Sequence, residues 1–234
     1  MTQPTVETAG LVLDRIGVRF GGLVALDGVS LRVPPGRTVG VIGPNGAGKT
    51  TLFNVICGFV APAGGSLRLD GRPLRPRPHR LTRLGIARTL QGVGLFAGLT
   101  VLENVLVAAP GGTDRAMAAL ERCGVGAQAR DLPGQLPYAL RKRVALARAL
   151  VSEPRLLLLD EPAGGLGAAE IDELRDLIDG LACSVLLVEH HMDLVMAVCD
   201  EILVLDFGRP VAYGTPEEIR TDQAVADAYL GAAA

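Results

Sequence analysis

The chain has 234 residues, of which 49% are hydrophobic and 21% charged, so it can bury the core of one large domain. Its formal net charge is −2, which argues against a nucleic-acid partner. No apolar run approaches the roughly 20 residues of a membrane-spanning helix, and residues 1–5 lack the features of a signal peptide. From these two features we expect a cytoplasmic chain. Four scattered cysteines offer no disulfide framework, so we also expect a reducing compartment; they are Cys57, Cys123, Cys183 and Cys199.

Short strand-like runs separated by glycine and proline fill the first third of the chain and predict a β-rich region. An Arg- and Pro-rich segment over residues 71–83 follows, and it predicts a solvated loop followed by a short helix. The alternative for this segment is a contact with lipid headgroups or with an acidic partner. The predicted strands cover residues 11–13, 28–33, 37–42 and 66–69.

The middle of the chain has helical spacing. Thr100 and Glu103 form a capping box that starts a helix, and we expect a helical insert from about residue 93 to residue 150. In the last third strands and helices alternate, which predicts a parallel sheet with both faces covered. The predicted helices cover residues 100–108, 114–123, 138–151, 168–181 and 191–198, and the predicted strands cover residues 85–90, 156–160, 185–188 and 202–205.

Residues 43–51 match the phosphate-binding pattern G-x-x-x-x-G-K-[ST], between a strand-like run and a helical pattern. The glycines let backbone N–H groups close around an anion, and the helix N-terminus adds a positive dipole. Lys49 is expected to reach the β- and γ-phosphates of a nucleotide, and the Thr50 hydroxyl to bind Mg²⁺. The alternative is a glycine-rich turn that only connects a strand to a helix. The candidate nucleotide-binding residues of this loop are Gly43, Pro44, Asn45, Gly46, Ala47, Gly48, Lys49, Thr50 and Thr51.

A second motif lies where the apolar run over residues 156–160 ends in Asp160, followed at once by Glu161. In a protein with a phosphate loop, Asp160 is placed to hold Mg²⁺ directly or through a water. Glu161 is placed to polarise a water that attacks the γ-phosphate. The alternative for this pair is a charged exit from a strand into a loop.

Together these motifs resemble the ATP-binding subunit of an ABC transporter over essentially the whole chain. The resemblance implies an α/β fold, the P-loop NTPase ABC ATPase fold, with a RecA-like parallel sheet core, an antiparallel β lobe and a short helical subdomain. Residues 1–234 are then one ATP-binding domain, with the core and β lobe in residues 1–92 and 151–234 and the helical subdomain in about 93–150. The resemblance also implies an ATPase that binds ATP and Mg²⁺.

The same resemblance implies roles for three further residues. Phe20 matches the aromatic residue that stacks on adenine, and His190 matches the switch histidine that contacts the γ-phosphate. Gln91 matches the glutamine expected near Mg²⁺, the attacking water and the membrane partner. The implied catalytic set is Lys49, Gln91, Glu161 and His190, and the implied metal set is Thr50, Gln91 and Asp160. On the residues alone, Phe20 is also compatible with an ordinary core position at a strand end, and Gln91 with a polar loop position.

A finer resemblance is to the ATP-binding subunits of branched-chain amino-acid importers. It implies solute import, integral membrane permease subunits, an extracytoplasmic solute-binding protein that acts indirectly, and attachment to the inner face of the cell membrane. The residues that carry it are 20–23, 51–54, 85–89, 99–105, 189–190, 194–196, 214–216 and 228–231.

The family's signature segment, roughly Leu-Ser-Gly-Gly-Gln, is altered at residues 136–140, which read Leu136, Pro137, Tyr138, Ala139 and Leu140. Pro137 replaces a serine whose hydroxyl would bond the γ-phosphate held by the facing subunit, and Ala139 replaces a glycine that approaches this phosphate. Gly167 also stands where the family usually has Asp or Asn. We therefore expect a weakened signature, a helix that tolerates proline at its start, and a second ATP-binding subunit that is not identical to this one.

Two other functions remain open from the sequence. One is a nucleotide-binding regulatory subunit with little hydrolysis of its own, which the altered signature favours and the intact Lys49, Asp160, Glu161 and His190 oppose. The other is an ABC protein that acts on nucleic acid or ribosomes. Such proteins usually have tandem ATPase domains or long coiled-coil inserts, and neither is present in this sequence.

Overall fold

The computed structural model describes residues 9–90 and 92–231 of the chain. Within this part, the strands are β1 (Leu11–Phe20), β2 (Leu23–Val33), β3 (Thr38–Ile42), β4 (Gly64–Leu69), β5 (Arg72–Pro73), β6 (Ile86–Arg88), β7 (Leu156–Asp160), β8 (Ser184–Val188), β9 (Glu201–Asp206) and β10 (Arg209–Gly214). The α-helices are α1 (Lys49–Ile56), α2 (Val101–Leu106), α3 (Gly112–Arg122), α4 (Tyr138–Leu150), α5 (Ala168–Asp179), α6 (Met192–Val198), α7 (Pro216–Thr221) and α8 (Gln223–Gly231).

The central sheet has six strands in the order β10-β9-β3-β8-β7-β6. The strands β6, β7, β8, β3 and β9 run parallel, and β10 pairs antiparallel with β9. Every residue of β7 and β8 is buried, as expected for parallel strands that are covered on both faces. Because parallel strands end at one edge of a sheet, the loops after β3, β7 and β8 lie side by side. The loop after β3 is the phosphate loop, the loop after β7 contains Glu161, and the loop after β8 contains His190.

A second, antiparallel sheet has the strand order β2-β1-β4-β5. Irregular pairing interrupts the register between β1 and β2 at three places, and Arg15 has a positive φ of 47° there. The turn over residues 21–22 joins the two strands, so Phe20 lies at the tip of this hairpin, paired with Leu23. The antiparallel sheet thus carries the residue expected to contact adenine.

Two clusters of buried apolar side chains hold these layers together. One contains α1 and inward-facing residues of the antiparallel sheet, and includes Leu158 and Leu186 of the central sheet. The other contains side chains of α2, α3, α4 and α6, and includes the neighbouring Leu157 and Leu187. Successive residues of a strand point to opposite faces. The central sheet therefore lies between the antiparallel sheet and the helical insert.

The predicted α/β fold with a parallel core and an antiparallel lobe is confirmed. The helices α2, α3 and α4 lie within residues 93–150, whereas the division of the chain into a core and a helical subdomain stays a prediction. The Arg- and Pro-rich segment 71–83 contains the short β5 and a 3-10 turn over Pro78–Arg80, and a second 3-10 turn, Thr82–Leu84, begins within it. The cysteines are free thiols, and burial raises the pKa of Cys199 to about 12.

Several element boundaries were wrong. The strands β1 and β2 are much longer than the predicted 11–13 and 28–33, because irregular pairing breaks the alternation of apolar residues on which that prediction relied. The strand predicted over residues 85–90 is the shorter β6. The strand β10 and the helices α7 and α8 were not predicted.

Candidate functional site

The phosphate loop encloses the side chain of Lys49, which is buried in the first turn of α1. Its Nζ atom donates hydrogen bonds to the carbonyl oxygens of Gly43, at 2.6 Å, and Pro44, at 2.9 Å. Burial lowers the pKa of Lys49, and the nearby charges of Glu161 and Asp160 oppose this shift. The ammonium group therefore lies among the loop carbonyls and near both candidate carboxylates.

The glycines of the loop are required by its backbone geometry. Gly43 has a φ of 145°, and a Cβ atom there would lie 2.0 Å from the carbonyl oxygen of Leu205. Gly48 has a φ of 102°, and a Cβ atom there would lie 2.8 Å from the carbonyl oxygen of Ala25. The helix α1 has no capping side chain and no acidic residue in its first turn. Its first N–H groups are therefore available to an anion.

An open cleft of about 420 Å³ runs along this loop. Phe20, which is half exposed, and Glu161 both line the cleft. Phe207, in the turn between β9 and β10, is 83% exposed and also lines the cleft. The structure thus brings together the predicted aromatic residue, phosphate loop and catalytic carboxylate. The lining residues are Phe20, Leu23, Val24, Ala25, Asn45, Gly46, Ala47, Gly48, Lys49, Thr50, Thr51, Glu161 and Phe207.

Asp160 ends β7 with its side chain nearly buried, at 6% exposure. Arg88, at the end of β6, donates from Nη2 to Asp160 Oδ2 at 2.8 Å. The same guanidinium group donates to Asn54 of α1 and lies over the ring of Phe53. A buried carboxylate needs a partner of this kind, because an unpaired charge in the interior is costly.

Glu161 has a left-handed backbone conformation, with a φ of 48°. Its N–H group donates to the carbonyl oxygen of Val188, at 2.8 Å. Lys142 of α4 donates from Nζ to the carbonyl oxygens of Glu161 and Pro162, both at 2.8 Å. A non-glycine residue with positive φ persists only where the surrounding contacts hold it, and such residues are often found in active sites.

His190 follows β8 and is half exposed, with its ring 4.8 Å from that of His191. The preceding residue, Glu189, is fully buried. Its carboxylate accepts three backbone hydrogen bonds, from the N–H groups of Ala163 at 2.6 Å, His190 at 2.7 Å and His191 at 3.1 Å. Glu189 thus joins the loop after β7 to the loop after β8.

The altered signature segment leads into α4. Pro137 is the N-cap residue of this helix, so the helix does tolerate proline at its start, one position before the first helical residue. Pro137 and Tyr138 are exposed, whereas Leu136 and Ala139 are buried and Leu140 is half-buried. No side chain caps the helix. Gly167 is the N-cap of α5 and likewise provides no side-chain cap; its N–H group donates to Glu170.

Gln91 lies outside the described residues, so its proposed role stays a prediction. Sequence reasoning assigned no role to four residues that the structure places at the site: Arg88, Lys142, Glu189 and Phe207. The sequence did contain a signal for two of them, Lys142 and Glu189. Lys142 is one of only two lysines in the chain, and Glu189 is a charged residue directly after an apolar strand, as Glu161 is after Asp160.

Comparison with known proteins identifies the family. A model of the ABC transporter family matches residues 26–164, which is more than half of the chain. The chain belongs to the ATP-binding proteins of ABC transporters. It is therefore an ATP-binding subunit with ATPase activity. A second model, described as "Branched-chain amino acid ATP-binding cassette transporter", matches residues 209–234.

Curated relatives are similar over their whole length. The chain is 41% identical to the high-affinity branched-chain amino acid transport ATP-binding protein BraF of Pseudomonas aeruginosa, and all of each chain is covered. It is 41% identical to the protein LivG of Escherichia coli K12, which has the same description and is also covered completely. These matches confirm the finer resemblance to the branched-chain class.

Solved structures show the same fold. The ADP conformation of MJ1267, an ATP-binding cassette of an ABC transporter, matches with a TM-score of 0.86 and 28% identity. This match covers 94% of the present chain and 98% of MJ1267. A nucleotide-free ATP-binding cassette matches with a TM-score of 0.85 at the same identity and coverage. Among the residues described here, no helix is both long and apolar enough to cross a bilayer.

Proposed function

We propose that this chain hydrolyses Mg-ATP in the cleft along the phosphate loop, and that hydrolysis drives import of branched-chain amino acids through membrane permease subunits. The observation that carries the proposal is that Lys49, Thr50 and Glu161 line one cleft. The names of the full-length relatives support the transport part, because BraF and LivG are both described as high-affinity branched-chain amino acid transport ATP-binding proteins. They also favour an ATPase over a regulatory subunit.

Each candidate side chain is proposed to have one role in this reaction. Lys49 and the N–H groups of the loop bind the β- and γ-phosphates. Glu161 polarises the attacking water, and His190 contacts the γ-phosphate. Phe20 stacks on adenine. Gln91 is the proposed contact to the metal, the water and the permease.

The residues of the site fit Mg²⁺. Arg88 bonds one oxygen of Asp160, Oδ2, and among residues 9–90 and 92–231 no hydrogen bond reaches Oδ1. The hydroxyl-bearing Thr50 is exposed and lines the cleft. Hard oxygen ligands of this kind suit Mg²⁺, which also takes phosphate oxygens and waters as ligands. Bound Mg²⁺ would neutralise charge on the β- and γ-phosphate oxygens.

The proposed partners have two grounds. The relatives named for amino-acid transport favour permease subunits, and the altered signature segment favours a second ATP-binding subunit with a different sequence. The partners are a second, non-identical ATP-binding subunit and integral membrane permease subunits, with an extracytoplasmic solute-binding protein acting indirectly. The chain would then be a cytoplasmic subunit, held at the inner face of the cell membrane by the permeases. No nucleic acid has a place in this assembly.

Uptake of labelled leucine tests the transport function. Cells that lack this chain should lose high-affinity leucine uptake, and the parent gene should restore it whereas Lys49→Ala should not. Excess unlabelled isoleucine or valine should compete, and excess methionine should not. Unchanged leucine uptake in the deleted strain, together with lost uptake of another solute, would show that the solute assignment is wrong.

Nucleotide binding tests the cleft itself. We expect Phe20→Ala to weaken ATP binding, because stacking of a base on an aromatic ring contributes about 1–3 kcal/mol. Lys49→Ala should weaken the binding of ATP more than that of ADP, since Lys49 is expected to reach the γ-phosphate. Isothermal titration of each variant measures both effects. Phe59→Ala is the matched control, because Phe59 is similarly exposed and does not line the cleft. Unchanged ATP affinity in Lys49→Ala would show that the site is wrong.

A further inference from the structure

The loop after β7 is held by two charged side chains that sequence reasoning did not assign. The Lys142 ammonium group donates to the carbonyl oxygens of Glu161 and Pro162. The Glu189 carboxylate accepts from the N–H group of Ala163. Three consecutive residues, 161–163, are therefore anchored by charge-assisted hydrogen bonds, which are shorter and stronger than neutral ones.

The same carboxylate also anchors the loop that carries His190. The backbone N–H groups of His190 and His191 both donate to Glu189 Oε2, while that of Ala163 donates to Oε1. The two carboxylate oxygens thus hold two different loops at a fixed spacing. The candidate water-activating residue and the candidate γ-phosphate contact lie on these two loops.

The Lys142 side chain and the His190 ring also approach each other around Gly164. A Cβ atom on Gly164 would lie 3.7 Å from Lys142 Nζ and 4.0 Å from His190 Cε1. Burial lowers the pKa of Lys142, and the charges of Glu189 and Glu161 oppose this shift. Lys142 and Glu189 are therefore linked through the backbone of residues 161–163, to which both side chains are hydrogen-bonded.

We propose that Lys142 and Glu189 are positioning residues, which together set the left-handed backbone at Glu161 and the distance between Glu161 and His190. This inference rests on the proposed roles of Glu161 and His190 in hydrolysis. Lys142 belongs to α4, whose first three residues, 138–140, are part of the signature segment, so it also connects that segment to the catalytic loop of its own subunit.

The test compares ATP affinity, the maximal hydrolysis rate and the melting temperature of full-length variants in the transporter assembled with its partner subunits. We expect Lys142→Met and Glu189→Gln to lower kcat by about 10–100-fold, because a misplacement of about 1 Å in a catalytic group has an effect of that size. The Kd for ATP should change little, since neither residue lines the nucleotide cleft. Lys142→Arg retains the donors and should recover most of the rate.

Controls and a double-mutant cycle separate positioning from mere structural support. Arg130→Met and Glu121→Gln remove exposed charges and should have no effect on kcat. In a Glu161→Gln background, Lys142→Met should lower the single-turnover rate by no more than about threefold, because residues that act through one group are non-additive. A purely structural defect would instead lower the melting temperature, and its effect on the single-turnover rate would multiply with that of Glu161→Gln.

This test separates a failure of the positioning role from a failure of the proposed function. If Glu161→Gln abolishes hydrolysis while Glu189→Gln and Lys142→Met retain the parent kcat, the positioning role is wrong and the proposed function stands. If Glu161→Gln remains fully active, the catalytic role on which the inference rests is wrong. If Lys142→Met or Glu189→Gln does not fold, Glu189→Asp decides, because it retains the charge but shortens the side chain. An unchanged kcat in Glu189→Asp would then overturn the inference.

Discussion

Glu161→Gln is expected to bind Mg-ATP with nearly unchanged affinity and to hydrolyse it about 10²–10⁴-fold more slowly, the range typical of lost general-base assistance. The side chain lines the same cleft as Lys49 and Thr50, and its backbone is held in a left-handed conformation. The glutamine amide cannot accept the proton of the attacking water. Because it is close in size to the glutamate carboxylate, ATP binding should be nearly unchanged. The variant should therefore accumulate as an ATP-bound dimer with the second ATP-binding subunit.

Phosphate release in single-turnover conditions and size-exclusion chromatography with ATP measure the two effects. Glu217→Gln is the matched control, because Glu217 is an exposed carboxylate of α7 away from the cleft. We expect this control to hydrolyse ATP at the parent rate and to form no stable ATP-bound dimer. Full activity of Glu161→Gln would remove Glu161 from the mechanism.

In the assembled transporter, loss of Lys49 should abolish ATP turnover, whereas loss of the corresponding lysine of the second ATP-binding subunit should only reduce it. The family resemblance implies that each ATP lies between the phosphate loop of one subunit and the signature segment of the other. The present chain has an intact phosphate loop and Glu161 but a signature with Pro137 and Ala139. Beside the second, non-identical subunit proposed above, whose signature we expect to be intact, the phosphate loop of this chain would pair with that intact signature. The altered signature of this chain would then face the nucleotide of the second subunit.

The energies involved support this asymmetry. The hydroxyl that Pro137 lacks would form a hydrogen bond to a charged phosphate, whose loss costs about 1.5–3 kcal/mol. The uncapped N-terminus of α4 still favours an anion, by about 0.3–1 kcal/mol. The loss is larger than the remaining gain, so the partner's nucleotide should be held at a site with slow hydrolysis.

Separate replacement of the two lysines by alanine, followed by steady-state ATPase assays, distinguishes the models. The double substitution Pro137→Ser and Ala139→Gly restores the family pattern and should raise turnover in the transporter that lacks Lys49. Equal loss from both lysine variants, or brisk hydrolysis by the present chain alone, contradicts the asymmetric model. Full turnover without Lys49 would instead favour a regulatory subunit.

Local sequence was sufficient to find the parts of the site that depend on short patterns. The phosphate loop was predictable because its glycines, Lys49 and Thr50 lie within nine residues and their backbone geometry is determined locally. The end of β7 at Asp160 was predictable because a fully buried strand has a nearly continuous apolar sequence. The family resemblance supplied Phe20 and His190, which have no such local pattern.

The tertiary structure decided what depends on contacts between distant segments. The lengths of β1 and β2 depend on pairing across a bulged hairpin, so alternation along one strand did not predict them. Glu189 and Lys142 meet residues 161–163 only because parallel strands end at the same edge of the sheet and α4 packs beside them. The sequence alone thus determined the fold class and the phosphate loop. Packing decided which charged side chains hold the catalytic loop, because hydrogen bonds between residues 19 and 26 positions apart leave no periodic pattern in the sequence.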